Sequence, residues 1–134
     1  MKISTKGRYA LRLMLDIAEH GEDGPVSLRD VAKRQGISDK YLEQIIAVLN
    51  KAQYVKSIRG AQGGYILTKP LEEYTVGMIL RVTEGSLAPV ACVEEQECER
   101  IDDCVMAQVW QKINTAVCEV VDSITLADLK NRNI

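Results

Sequence analysis

The sequence predicts a mainly α-helical fold: a winged helix-turn-helix with a small β-hairpin wing, followed by a long C-terminal helix. Three observations carry this. Two short helical patterns are joined by Gln35-Gly36-Ile37-Ser38, a glycine in the turn and then a helix cap. A glycine-rich hairpin pattern follows directly. The last third of the chain then holds an apolar stripe too wide for a lone surface helix.

Taken in order, the first helix is expected from Thr5 to about His20. Leu11, Met14, Leu15 and Ala18 recur at helical spacing, and Gly21 and Gly24-Pro25 close it. Ser27-Leu28-Arg29-Asp30 is a cap-like start for a second helix, with Asp where a capping box prefers Glu or Gln. Val31 and Ala32 face inward, and Gly36 stops it. Ser38 caps a third helix to about Lys51, with Tyr41, Leu42, Ile45, Ile46, Val48 and Leu49 as its apolar positions. Residues 54–59 and 65–68 read as the two strands of a hairpin around Gly60-Ala61-Gln62-Gly63-Gly64, stopped by Lys69-Pro70. Thr75 caps a fourth helix that ends at Gly85. Residues 86–101 are acidic and without period. A last long helix starts near Asp102 or Asp103 and carries Val105, Val109, Ile113, Ala116, Val117, Val120 and Ile124 as one stripe, which wants a partner, either another part of this chain or a second subunit.

Composition sets the class. With 46% hydrophobic and 27% charged residues, the 134-residue chain is that of an ordinary globular domain. No apolar stretch nears the roughly 20 residues of a membrane span, and the N-terminus from Met1 to Arg8 lacks a signal-peptide pattern. A cytoplasmic protein is therefore expected. The net charge of −2 hides an asymmetry. Residues 1–70 hold 12 Lys and Arg against 7 Asp and Glu, a net +5; residues 71–134 hold 5 against 12, a net −7. The first half suits phosphates and the second repels them. Nothing supports an enzyme: there is no glycine-rich phosphate loop and no recognisable nucleophile–base pair. A winged helix used for protein contact without DNA is a further alternative, and the basic first half argues against it.

Cys92, Cys98, Cys104 and Cys118 all lie in the acidic half. Clustered cysteines in a cytosolic chain suggest metal binding or redox chemistry over a disulfide. Cys-x5-Cys-x5-Cys is not zinc-finger spacing, and thiolates are the usual ligands of iron–sulfur clusters. Cys118 reads as a small apolar residue of the last helix.

Gly7-Arg8-Tyr9-Ala10, Gly36-Ile37-Ser38, Tyr41-Leu42-Glu43-Gln44, Arg59-Gly60, Gly63-Gly64-Tyr65 and Ser123-Ile124-Thr125-Leu126-Ala127-Asp128-Leu129 together resemble the Rrf2 family of bacterial transcription regulators. Cys92, Cys98 and Cys104 match the cluster-holding cysteines of its IscR-like members, which makes those the nearest resemblance; NsrR-like nitric-oxide sensors and CymR-like cysteine regulators are relatives. The resemblance implies a DNA-binding repressor of iron–sulfur biogenesis genes, a homodimer on a partly palindromic duplex, and a 2Fe–2S cluster. A CymR-like regulator without a cluster, or an NsrR-like sensor, is the alternative. The implied division is a DNA-binding domain over 1–84, a cluster-binding loop over 85–104, and a dimerisation helix with tail over 102–134, as one structural unit.

The third helix is expected in the major groove, its N-terminus foremost. Ser38 and Lys40 suit phosphate, Glu43 can accept from a cytosine amino group, and Gln44 can pair with adenine. Arg59 beside glycines suits a narrow minor groove. With Tyr41, Ser57 and Gly60 these complete the expected DNA-facing set, and Lys6, Arg8, Tyr9, Lys56 and Gln62 are candidate backbone contacts. For the cluster, IscR-type relatives place a histidine three residues after the third cysteine; here that residue is Ala107. Asp102, Asp103, a Glu, Gln108, His20, a residue of the second subunit, a small thiol or water are the candidates for the fourth ligand.

Overall fold

The computed structural model describes residues 2–95 and 97–134; Met1 and Gln96, the latter inside the 85–104 segment, lie outside the described residues. The chain runs α1 (Thr5–His20), α2 (Leu28–Gln35), α3 (Asp39–Lys51), β1 (Val55–Ile58), β2 (Gly64–Leu67), α4 (Val76–Glu84), α5 (Ala91–Glu94), α6 (Val105–Ser123) and α7 (Leu126–Lys130), with single 3₁₀ turns at Leu71–Glu73 and Ile101–Asp103. The mainly helical fold with a two-stranded hairpin is the one the sequence predicts.

Local chemistry accounts for the boundaries. Ser4, Ser27, Ser38, Thr75 and Thr125 each accept the backbone N–H three residues on, capping α1, α2, α3, α4 and α7. Each such cap stabilises by about 1 kcal/mol. Gly36 ends α2 at φ 65°, a left-handed conformation that turns the chain toward α3.

The core is built from Ala10, Leu13, Met14 and Ile17 of α1, Val31 of α2, Leu42, Ile45, Ile46 and Leu49 of α3, and Val55, Tyr74, Ile79 and Leu126. The inward face of α1 matches the expected one at Met14 and Ala18, both buried, but is rotated away from Leu11 and Leu15, which are half-buried, toward Ala10, Leu13 and Ile17, which are fully covered. Apolar residues surround most of α1, so spacing alone admitted either face; packing against α4 and α7 selected one.

β1 and β2 pair antiparallel in the register Val55↔Leu67, Lys56↔Ile66, Ser57↔Tyr65, Ile58↔Gly64. Val26 adds an isolated bridge to Tyr65, through N–H···O bonds of 3.0 and 2.8 Å. Gly64 is required there, since a Cβ would strike the Val26 carbonyl.

The C-terminal stripe does not continue as one helix. α6 ends at Ser123, and Ile124 is extended at φ −98°, ψ 120°. Thr75 and Thr125 form an antiparallel bridge, with Val76 N–H on the Ile124 carbonyl at 2.9 Å and Leu126 N–H on the Tyr74 carbonyl at 2.9 Å. A reciprocal capping box between Thr125 and Asp128 then starts α7, whose Leu126 is fully buried. Lys130–Glu22 (2.6 Å) and Arg132–Glu19 (3.1 Å) tie this end to α1 and the turn after it.

Candidate nucleic-acid interface and cysteine segment

α3 is amphipathic in the sense a reading helix needs. Leu42, Ile45, Ile46 and Leu49 hold it to the core, leaving Ser38, Lys40, Glu43 and Gln44 exposed. Ser38 Oγ accepts from Tyr41 N–H at 3.2 Å, so part of its acceptor capacity serves the cap. Tyr41 is half-buried, its ring edge-to-face with Tyr9 at 5.7 Å, and it braces α3 against α1. Ser57, Arg59 and Gly60 are exposed on the hairpin, as are Lys56 and Gln62. Arg8 is exposed and donates to Thr5 Oγ1 at 3.0 Å; Lys6 is half-buried.

One polar device was missed at the sequence level. Asp16, on the inward side of α1, is fully buried and accepts Arg34 Nη2 at 2.6 Å, Arg34 Nε at 3.1–3.2 Å and Gln35 Nε2 at 2.8 Å. Burial pushes its carboxyl up, but the Arg34 and Gln35 hydrogen bonds and the Arg34 charge outweigh that and hold it below the usual carboxylate range. Arg12 reaches from α1 to the Gln35 side-chain oxygen at 3.0 Å and to the Gln35 carbonyl. The C-terminal end of α2 is therefore clamped to α1, which sets where Gly36 releases the chain into α3. An acid within an otherwise apolar helix face was the signal available.

The three cysteines of the acidic segment are free thiols in different settings. Cys92 in α5 and Cys104 at the start of α6 are half-buried, and Cys98 is exposed. Cys92 lines a cleft of about 320 Å³ with Val93, Ile101, Ala107, Gln108 and Gln111. Gln108, one candidate fourth ligand, thus faces the same cleft as Cys92. His20 is engaged elsewhere, its Nδ1 paired with the Asp16 carbonyl at 3.0 Å. Among the described residues, no three His, Cys, Asp or Glu side chains are gathered closely enough to hold a metal ion. The donor chemistry of an iron–sulfur cluster is present on one short segment, but its sulfurs are not drawn together in this arrangement.

Cys118 belongs to a separate contact. Arg81 of α4 donates to its Sγ at 3.5 Å and forms a bidentate pair with Asp122 at 2.6 and 2.9 Å. The Asp122 hydrogen bonds raise Arg81 above its ordinary value, and those from Arg81 lower Asp122 below its own. This pair clamps α6 to α4. The other side of α6 is uncovered: none of its residues is buried, and Val105, Met106, Val109 and Val120 are exposed at 72, 48, 40 and 58%. No helix among the described residues is long and apolar enough to cross a membrane.

Comparison with known proteins adds to this geometry. A family model described as "Rrf2: Iron-dependent Transcriptional regulator" matches residues 3–132. The chain is 45% identical over 130 residues to protein rrf2 of Nitratidesulfovibrio vulgaris, covering 96% of this chain and 87% of that protein. It is likewise 45% identical over 129 residues to the HTH-type transcriptional regulator CymR of Bacillus subtilis, covering 96% and 89%. The solved structure of that CymR, the global cysteine regulator, is similar with a TM-score of 0.84 at 43% identity, over 98% of each chain. The structure of T. potens IscR is similar with a TM-score of 0.81 at 48% identity, over 100% of this chain and 89% of that one.

Proposed function

The chain belongs to the Rrf2 family of transcriptional regulators, and from that premise we propose that it binds double-stranded DNA as a homodimeric repressor. The observation that carries this is the exposed face of α3: Ser38, Lys40, Glu43 and Gln44 stand free at the capped end of a core-anchored helix, beside a hairpin presenting Ser57, Arg59 and Gly60. Lys40 and the α3 N-terminus take phosphate, Glu43 and Gln44 face base edges, and Arg59 enters the minor groove. Tyr41 contributes by holding α3 against α1. The net +5 of residues 1–70 supplies the electrostatic attraction.

Titration of a duplex containing the native upstream region tests this at fixed salt. Arg59→Ala is expected to weaken binding several-fold or more, about 1–3 kcal/mol. Unchanged affinity would remove Arg59 from the interface. The exposed apolar side of α6 supplies the second-subunit contact, and two-fold symmetry sets two α3 helices about one DNA turn apart on a partly palindromic site.

The sensing step is assigned to Cys92, Cys98 and Cys104 as ligands of a 2Fe–2S cluster, with iron–sulfur biogenesis genes as the controlled set. Three thiols within one 13-residue segment suit that group. A bound cluster supplies a redox-sensitive centre. The chain's own contribution is position: α5, which carries Cys92, packs on α6, the helix of the proposed subunit contact. Anaerobic reconstitution should give an iron–sulfur absorption spectrum and bound iron, both lost in the Cys92→Ser/Cys98→Ser/Cys104→Ser variant. No chromophore in the intact protein would rule the cluster out. A second reading, a cluster-free regulator that responds through thiol oxidation or a partner protein, is favoured by Ala107 and by the ungathered thiols. A colourless protein with full DNA affinity would select it.

A further inference from the structure

We propose that Tyr74 is a positioning residue for DNA binding, whose hydroxyl fixes the wing to the end of the recognition helix. This rests on the DNA-binding reading above and assigns a residue that touches no DNA.

Tyr74 is fully buried between the 3₁₀ turn at Leu71–Glu73 and α4. A buried phenol needs partners for its hydroxyl. Tyr74 finds them at both ends of the hairpin. It donates to the Tyr54 carbonyl, the residue before β1, at 2.6 Å. It accepts from the N–H groups of Thr68 and Lys69, just after β2, at 2.9 and 3.1 Å. One donor and two lone pairs are thereby used in full. The Thr68 hydroxyl, 3.1 Å away, gives its own proton to the Gln53 carbonyl at 2.6 Å.

Those partners join the wing to α3. Only Ala52 and Gln53 separate Lys51, the last residue of α3, from Tyr54. Gln53 has φ 62°, a left-handed conformation costly for a non-glycine residue unless its surroundings hold it. Thr68 grips its carbonyl, and Tyr54 N–H returns to the Leu49 carbonyl in α3 at 3.0 Å. A hairpin of two four-residue strands is marginal alone. Beyond the Tyr54–Leu49 bond, the Val26–Tyr65 bridge also anchors its backbone. Val55 in the core and the Tyr54–Leu49 bond still hold the start of β1, but without the Tyr74 hydroxyl the end of β2 loses its tie to it, which loosens the set of the hairpin and of Arg59 with it.

Tyr74→Phe keeps the buried ring, edge-to-face with Tyr54 at 5.9 Å, and removes only the oxygen. The experiment measures duplex affinity across a salt series for the wild type, Tyr74→Phe, Arg59→Ala and the double variant. Expected are a loss of about threefold to tenfold for Tyr74→Phe, a shallower salt dependence approaching that of Arg59→Ala, and a double variant no weaker than Arg59→Ala alone. Amide exchange over residues 55–67 should quicken while α1 and α3 stay protected. Thr68→Val, at an exposed position that leaves the core untouched, should shift affinity in the same direction by less. A merely structural role predicts the opposite pattern: losses that multiply in the double variant, an unchanged salt slope, and exchange raised in α1 and α3 alike. Any of these overturns the assignment while leaving the DNA-binding reading intact. A wild-type protein that fails to bind the duplex overturns both.

Discussion

Arg34→Ala is expected to destabilise the fold by about 2–4 kcal/mol at neutral pH, lowering Tm by on the order of 10 °C. The cost lies with Asp16. That carboxylate is fully buried, and Arg34 supplies its permanent charge partner and most of its hydrogen bonds; Gln35 is neutral, and His20, 3.6 Å away, is a cation only when protonated. The lower end of the range applies because the Arg34 side chain is 34% exposed, so water already screens one side of the pair. The sign with pH follows from the same balance. In the wild type Asp16 is held below its ordinary value of 3.8, so its contribution is present above that pH and lost as pH falls through the lower folded value. In Arg34→Ala, burial acts with less opposition and favours the protonated acid. The gap between the two proteins should therefore be widest near pH 7 and narrow as pH falls through the variant's higher folded value and on to the wild type's lower one. Urea unfolding at several pH values checks this, and Asp16→Asn/Arg34→Ala should recover much of the loss at neutral pH. A gap independent of pH would mean that Arg34 acts through packing of its stem rather than through the ion pair.

Val109→Glu should convert a dimer to a monomer and reduce operator affinity by on the order of 100-fold or more, because one half-site then binds alone. Val109 is one of four exposed large apolar residues on α6, a 19-residue helix with no buried position. A carboxylate placed in an apolar subunit contact loses hydration without gaining a partner. The protomer has independent support for α6: the Arg81–Asp122 pair on one side and the buried Leu126 just beyond its end. Sedimentation at micromolar concentration reads the change directly, with circular dichroism to confirm retained helix. A variant that stays dimeric would place the subunit contact away from this face.

The local elements follow from the order of residues alone. Every element that its caps and turns announced is present, since Ser27, Ser38, Thr75 and Gly36 act through backbone groups within a few residues, and such bonds depend little on the rest of the chain. The exposed face of α3 was legible for the same reason: a strong 3.6-residue pattern leaves Lys40, Glu43 and Gln44 only one side to occupy. Family membership was legible because its motifs are linear.

Tertiary structure alone decided the rest, wherever several local solutions were comparable. The apolar surface of α1 allowed more than one inward face, and packing against α4 and α7 chose the side that buries Asp16. The stripe running to Ile124 could have continued as helix; the Thr75–Thr125 bridge and the burial of Leu126 broke it into α6 and α7. Tyr74 gave no signal in sequence, because its partners Tyr54, Thr68 and Lys69 meet it only once the hairpin folds back. Cysteine spacing, in turn, set which thiols share a segment, whereas drawing three sulfurs together requires a backbone path that spacing does not encode.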